Sequence, residues 1–200
     1  MTSSSVRPTR GAKGKPMAIK KREVLHEGKY IRMLGQDGWE FVQRKNCTGM
    51  VMMIGMTQDE RVVLIEQYRV PVGRRAIEFP AGLVNDLGHI KNETLEQAAL
   101  REYEEETGYR AEKMVPLFKA PANSALSSDL FTLFKAVGLK KCSAGGGDDS
   151  ENITVHEIPF EKVRGWLGEM QKKEFLVDAK VYTGLYFLRE DLHGNLGGVK

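Results

Sequence analysis

The chain has 200 residues, 41% hydrophobic and 28% charged, enough for one domain with its own core and no need of disulfides. Its longest apolar run, Met50 to Met56, is far too short to cross a bilayer, and Cys47 and Cys142 lie in no CxxC spacing, so membrane-spanning, disulfide-framework and zinc-ribbon classes are excluded. Net charge is +3, but seven bases and no acid fall within residues 1–22, leaving a body of 23 bases against 27 acids that does not point to nucleic acid.

Residues 1–21 are rich in Ser, Thr, Gly, Lys and Pro and read as a disordered basic arm or added tail. No apolar segment follows the bases, so no secretory leader is expected and the cytoplasm is the expected compartment. From Glu23 the pattern becomes β. Glu23–Glu27, Tyr30–Leu34 and Trp39–Arg44 read as antiparallel strands with a turn at Gln36-Asp37-Gly38. Gly49–Met56 and Arg61–Tyr68 follow, joined by Thr57-Gln58-Asp59-Glu60, whose turn chemistry predicts another hairpin. A short strand around Ile77 leads into Pro80-Ala81-Gly82.

Residues 94–107 form the clearest helix. Thr94 with Gln97 makes a capping box, Leu95, Ala99 and Tyr103 recur at helical spacing, and Gly108 can end the helix. Strands are predicted again at Met114–Lys119, Leu130–Val137 and Ile153–Ile158. The last two flank a polar loop, residues 143–150, with glycines at 145–147. Beyond Phe160 the pattern gives two amphipathic helices, Val163, Trp166, Leu167 and Met170 facing inward on the first and Leu176–Leu188 covering the second. Strands, a helix, strands and helices predict a mixed α/β sandwich.

On the predicted helix, Glu102, Glu105 and Glu106 stand at i, i+3 and i+4 and project from one face, whereas Glu104 points elsewhere. Like charges so placed weaken a helix by roughly 0.2–0.5 kcal/mol per pair, and only Arg101 and Arg110 lie close by in sequence to offset them. A solvated acidic face is one reading; a hard divalent cation that takes carboxylate oxygen is the other.

Reading outward, Gly82, Glu93 and Arg101-Glu102-Tyr103-Glu104-Glu105-Glu106-Thr107-Gly108-Tyr109 resemble the Nudix box, G-x5-E-x7-R-E-U-x-E-E-x-G-U. One departure is plain: ten residues separate Gly82 from Glu93 where the box has five. The resemblance extends over residues 22–190 and is nearest to the ADP-ribose and nucleoside diphosphate sugar pyrophosphatases. It implies a Nudix-type α/β/α sandwich of mixed sheet over residues 22–200, preceded by antiparallel strands at about 22–46 that reach into a homodimer interface. It implies Glu102, Glu105, Glu106 and the Ala81 carbonyl as ligands of Mg²⁺, with Mn²⁺ as an alternative. Gly82, Glu93, Arg101 and Gly108 become structural parts of the motif.

The same resemblance assigns Arg69, within Glu66-Gln67-Tyr68-Arg69, to the diphosphate, and places Glu78, within Glu78-Phe79-Pro80-Ala81-Gly82-Leu83, in the lining of the site. Trp39 and Arg44 bind the base and substrate, in trans if the dimer carries over. Without the surrounding match, Trp39 reads as a core residue. Asp129, in Leu126-Ser127-Ser128-Asp129, assists substrate or metal binding. Glu151, or Asp149 in reserve, is the general base on a mobile acidic loop. The implied activity is hydrolysis of a nucleoside diphosphate sugar such as ADP-ribose to a nucleoside monophosphate and a sugar phosphate, with neither membrane nor nucleic acid as partner. Alternatives are a Nudix-fold sensor that binds without cleaving, and a hydrolase of nucleoside triphosphates or capped RNA.

Overall fold

The structure, a computed structural model, describes residues 21–86, 92–147 and 152–195. The predicted arm falls almost wholly outside them, as do Asp149 and Glu151. The chain begins with β1 (Glu23–Glu27), β2 (Ile31–Gln36) and β3 (Trp39–Arg44), a three-stranded antiparallel sheet. Asp37 (φ 52°) and Gly38 (φ 84°) are both left-handed, the conformation a two-residue hairpin turn requires, and Gln36 pairs with Trp39 across it.

Next come β4 (Gly49–Gly55), β5 (Arg61–Arg69), β6 (Arg74–Glu78), β7 (Ala81–Val84) and α1 (Leu95–Thr107). The remainder is β8 (Tyr109–Arg110), β9 (Lys113–Pro121), β10 (Leu130–Val137), β11 (Lys140–Lys141), β12 (Ile153–Pro159), α2 (Val163–Lys172), β13 (Leu176–Val177) and α3 (Ala179–Leu192). Two mixed four-stranded sheets form the middle layer, ordered β7-β4-β10-β9 and β12-β5-β6-β13.

Strand alternation sorts the core into two halves. Val51 and Met53 of β4 and Val63 of β5 pack with Ala98, Ala99 and Tyr103 of α1. Their neighbours Met52, Ile54, Val62 and Leu64 face the other way, onto Val163 and Leu167 of α2 and Val181 and Leu188 of α3. Helices on both faces make the α/β/α sandwich that the sequence predicts, and explain why β4 and β5 read as unbroken apolar runs. Each fully buried Leu or Ile there contributes roughly 1.5–3 kcal/mol.

Two local expectations are corrected. The turn at Thr57–Glu60 is present, closed by Thr57 N–H to the Arg61 carbonyl, but β4 and β5 do not form a hairpin: beyond a single Met56–Val62 bridge they enter different sheets. Each strand has only two edges, and β7 and β10 occupy those of β4 while β12 and β6 occupy those of β5. Leu176 and Val177 are not helical either. They pair in parallel with Ala76 and Ile77, and the last helix starts only after Asp178, whose carboxylate accepts the Lys180 N–H at 2.7 Å.

Candidate active site

Helix α1 is closed at both ends. Thr94 Oγ1 accepts the Gln97 N–H at 3.2 Å and Gln97 Oε1 accepts the Thr94 N–H at 2.9 Å, completing the capping box. At the other end Gly108 (φ 73°) turns the chain away, its N–H donating to the Glu104 carbonyl at 2.8 Å. The glycine loop then covers the last turn: Gly146 N–H reaches the Glu106 carbonyl at 2.9 Å and Gly147 N–H that of Glu105 at 3.1 Å. Lys141 Nζ donates to the Thr107 carbonyl at 3.2 Å, a cation at the negative end of the helix dipole.

The carboxylate face lies against β7. Gly82 permits this, because a Cβ there would stand 2.1 Å from Glu102 Cδ. Glu106 is buried, and its Oε2 accepts the Ala81 N–H at 3.0 Å. Glu105 is half exposed. Glu104 turns to Arg110, at 2.7 Å, as its place on the helix predicts.

Arg101 is the hub. Its Nε donates to Glu93 Oε1 at 2.9 Å, its Nη2 to the Leu83 carbonyl at 3.3 Å, and its Nη1 to Glu102 Oε1 at 2.9 Å and Glu105 Oε2 at 3.1 Å. Glu93 and Arg101 therefore tie the start of α1 to its carboxylate face. The hydrogen bond from Arg101 holds the Glu93 carboxyl below the usual carboxylate range. Glu102 goes the opposite way: burial pushes it up to about 7, against the attraction of Arg101.

Among the described residues, no three acidic, His or Cys side chains already converge as a metal cage. The donor chemistry nevertheless fits a hard cation. Three carboxylates and a main-chain carbonyl are all oxygen, and a carboxylate held out of water, as Glu102 is, gains charge compensation from a divalent ion.

The predicted substrate residues fall into three groups. Arg69 and Glu78, nine residues apart in sequence, join in an ion pair at 2.6 Å. Arg44 and Asp129 meet across 85 residues: the Arg44 N–H donates to Asp129 Oδ1 at 3.2 Å, and the guanidinium stands 4.0 Å from Oδ2. These two line a cavity of about 330 Å³ with Cys47, Thr48, Lys119 and Glu93. Trp39 is apart from both, 64% exposed, over a shallow cleft with Phe41, Ser124, Ala125 and Ser127. It is not a core residue.

Sequence reasoning missed Asn85. In a left-handed conformation (φ 58°), it accepts the Glu93 N–H at 2.7 Å, donates from Nδ2 to Thr48 Oγ1 at 2.7 Å, and gives its own N–H to Glu93 Oε2 at 3.2 Å. The Asn85-Asp86 dipeptide was its only local signal. Among the described histidines, His156 bonds to Glu66 at 2.9 Å and lies beside Trp166, their ring centroids 4.9 Å apart.

The family model for the NUDIX domain matches residues 48–178. The chain is 30% identical to the ADP-sugar pyrophosphatase of Mus musculus, covering 88% of each chain. It is 31% identical to the methanol dehydrogenase activator of Bacillus methanolicus and 28% identical to the ADP-ribose pyrophosphatase of Bacillus subtilis, in each case over 70% of this chain and 72% of the relative. In fold it is similar to a crystal structure of an ADP compounds hydrolase, with a TM-score of 0.68 at 22% identity over 88% of this chain and 94% of that one.

Proposed function

The chain belongs to the NUDIX family, and from that premise we propose that it hydrolyses the pyrophosphate bond of a nucleoside diphosphate sugar, ADP-ribose or a close relative, to a nucleoside monophosphate and a sugar phosphate. The observation that carries this is the carboxylate face of α1 packed against Gly82, with Glu102 pushed up to about 7 by burial. The relatives called ADP-ribose and ADP-sugar pyrophosphatase supply the substrate class.

In this reading Glu102, Glu105, Glu106 and the Ala81 carbonyl hold Mg²⁺, or Mn²⁺ in its place. When bound, the ion supplies charge neutralisation to the diphosphate and makes water more acidic. Arg69 binds the diphosphate through the N–H groups its fork still presents to solvent, while Glu78 holds the fork in orientation. Trp39 offers a plane to the base, and its exposure supports that role. Arg44 and Asp129 bind the remainder of the substrate; Asp129, an acceptor, suits hydroxyls and Arg44 suits phosphate.

Glu151, with Asp149 as the alternative, takes the proton from the attacking water. What supports this is the docking of Gly146 and Gly147 onto the main-chain carbonyls of Glu106 and Glu105, which brings the chain as far as Gly147 to the turn of α1 that carries two of the glutamates. The active unit is a homodimer with Trp39 and Arg44 working across the interface; exposed Val24 and Leu25 of β1 and Tyr30 in the turn that follows it support this. No described helix is long and apolar enough to cross a membrane, and we place the activity in the cytoplasm.

The purified protein with Mg²⁺ is assayed separately on ADP-ribose, ADP-glucose, GDP-mannose and nucleoside triphosphates, with product phosphate released by a coupling phosphatase. Selective cleavage of a diphosphate sugar is expected; selective cleavage of triphosphates overturns the reading.

A further inference from the structure

Gln67 is buried, with 9% of its surface exposed, and its Oε1 has no hydrogen-bond partner among the described residues. A buried carbonyl left without a donor weakens the fold, so keeping one in a strand calls for a reason. Its neighbour Glu66 is fully engaged, by Arg75 and by His156.

Strand register shows which way each points. Across β5, Ile65 stands opposite Glu78 and Val155, Gln67 opposite Ala76 and Ile153, and Arg69 opposite Arg74. Paired residues share a face and faces alternate, so Gln67, Arg69 and Glu78 lie on one face and Glu66 on the other. The face of Gln67 is the one on which Val63 and Val155 pack with α1, the helix carrying the carboxylates. Arg69 follows Gln67 on that face at about 6.6 Å along the strand. On the other side, Ile153 is the β12 partner of Gln67, and its carbonyl is the nearest atom to a Cβ built on Gly146, at 3.8 Å. Gln67 therefore stands between the Arg69–Glu78 pair and the glycine loop.

Its chemistry narrows the ligand. Oε1 only accepts, and phosphate oxygens only accept, so the open valence does not suit the diphosphate. It needs a donor, and an uncharged acceptor next to Glu78 can serve an anionic substrate without repelling it. In a nucleoside diphosphate sugar the donors flanking the diphosphate are the hydroxyls of its two sugars. We infer that Gln67 is a specificity-determining residue whose Oε1 accepts a hydrogen bond from one of those hydroxyls, an inference that rests on the nucleoside diphosphate sugar reading above.

The test compares the full-length wild-type protein with Gln67→Met, which keeps the volume and removes both amide groups. Substrates are ADP-ribose and its single-deoxy analogues at either ribose. The wild type is expected to prefer ADP-ribose over one analogue by about tenfold in kcat/KM, the analogue showing which sugar is read. Gln67→Met is expected to lose about tenfold on ADP-ribose through KM, to act on that analogue unchanged, and so to abolish the preference. Binding by calorimetry in EDTA, where no turnover occurs, should show the same pattern. Equal losses on every substrate, or no loss with a raised melting temperature, would make Gln67 a packing residue and overturn the inference. A wild type that cleaves none of these compounds defeats the functional reading instead, and the binding comparison still decides the role of Gln67.

Discussion

Gly82 and Glu102 share one space: the position a Cβ on Gly82 would take is 2.1 Å from Cδ of Glu102 and 2.4 Å from its Oε1. Strand β7 and helix α1 can approach this closely only because one partner has no side chain. Gly82→Ala is therefore expected to displace the Glu102 carboxylate. Mg²⁺ or Mn²⁺ affinity should fall by about 10–100-fold, the range seen when a ligand is misoriented. Titration calorimetry reads this directly, and unchanged affinity would contradict the assignment of Glu102.

Arg101 holds Glu93, Glu102, Glu105 and the Leu83 carbonyl with one planar fork, from a position where only 17% of its side chain is exposed. Lysine keeps the charge but cannot span these acceptors. Arg101→Lys should lower stability in urea by about 2 kcal/mol, since buried charges lose partners. A change under about 0.5 kcal/mol would show that the network adds little beyond surface electrostatics.

Glu106→Gln keeps an oxygen able to accept the Ala81 N–H but removes the charge. Turnover is expected to drop at least about 100-fold, with stability within about 1 kcal/mol of wild type. Near-normal turnover with Mg²⁺ would remove Glu106 from the ligand set.

Glu102 has a pH signature. Its folded pKa, about 7, lies above the ordinary 4.5, so the folded state prefers the protonated carboxyl. For a group shifted this way, stabilisation is complete below pH 4.5 and is lost as pH rises through 7. In EDTA, the unfolding free energy of the wild type in urea should fall from pH 5 to pH 8 relative to Glu102→Gln by on the order of 2 kcal/mol. Metal affinity should run in reverse, weakening by up to about tenfold per unit below pH 7 as protons compete for the carboxylate. Parallel stability profiles for the two proteins would mean that Glu102 is not held out of water.

Much of this was readable from local pattern. Helix α1, its capping box and Gly108 follow from signals within fifteen residues, and the Asp37-Gly38 turn needs only two. The carboxylate face follows from helical spacing alone. Pairings between distant segments carry no such signal: β4 lies parallel to β10, whose first residue comes 75 positions after β4 ends. A turn sequence at Thr57–Glu60 likewise cannot tell whether its flanking strands pair with each other or with other partners. Leu176 and Val177, two apolar residues before a helix, fit either period, and only the edge of β6 decides between them. Gln67 has no signature at all, since its open oxygen exists only once the surrounding strands have closed over it.

The Asn85–Glu93 clamp has a consequence for how this chain could be altered. Because Asn85 and Glu93 bind each other's main chain and Glu93 is in turn held by Arg101, the seven residues between Asn85 and Glu93 are closed off at their base. What lies above the clamp can change length without dragging α1 along. Each doubling of that segment then costs only about 0.6 kcal/mol of closure entropy. A clamp of this kind fits the box having a longer spacing here, and it makes the segment it closes a natural port for a grafted peptide or reporter, mechanically isolated from the carboxylates.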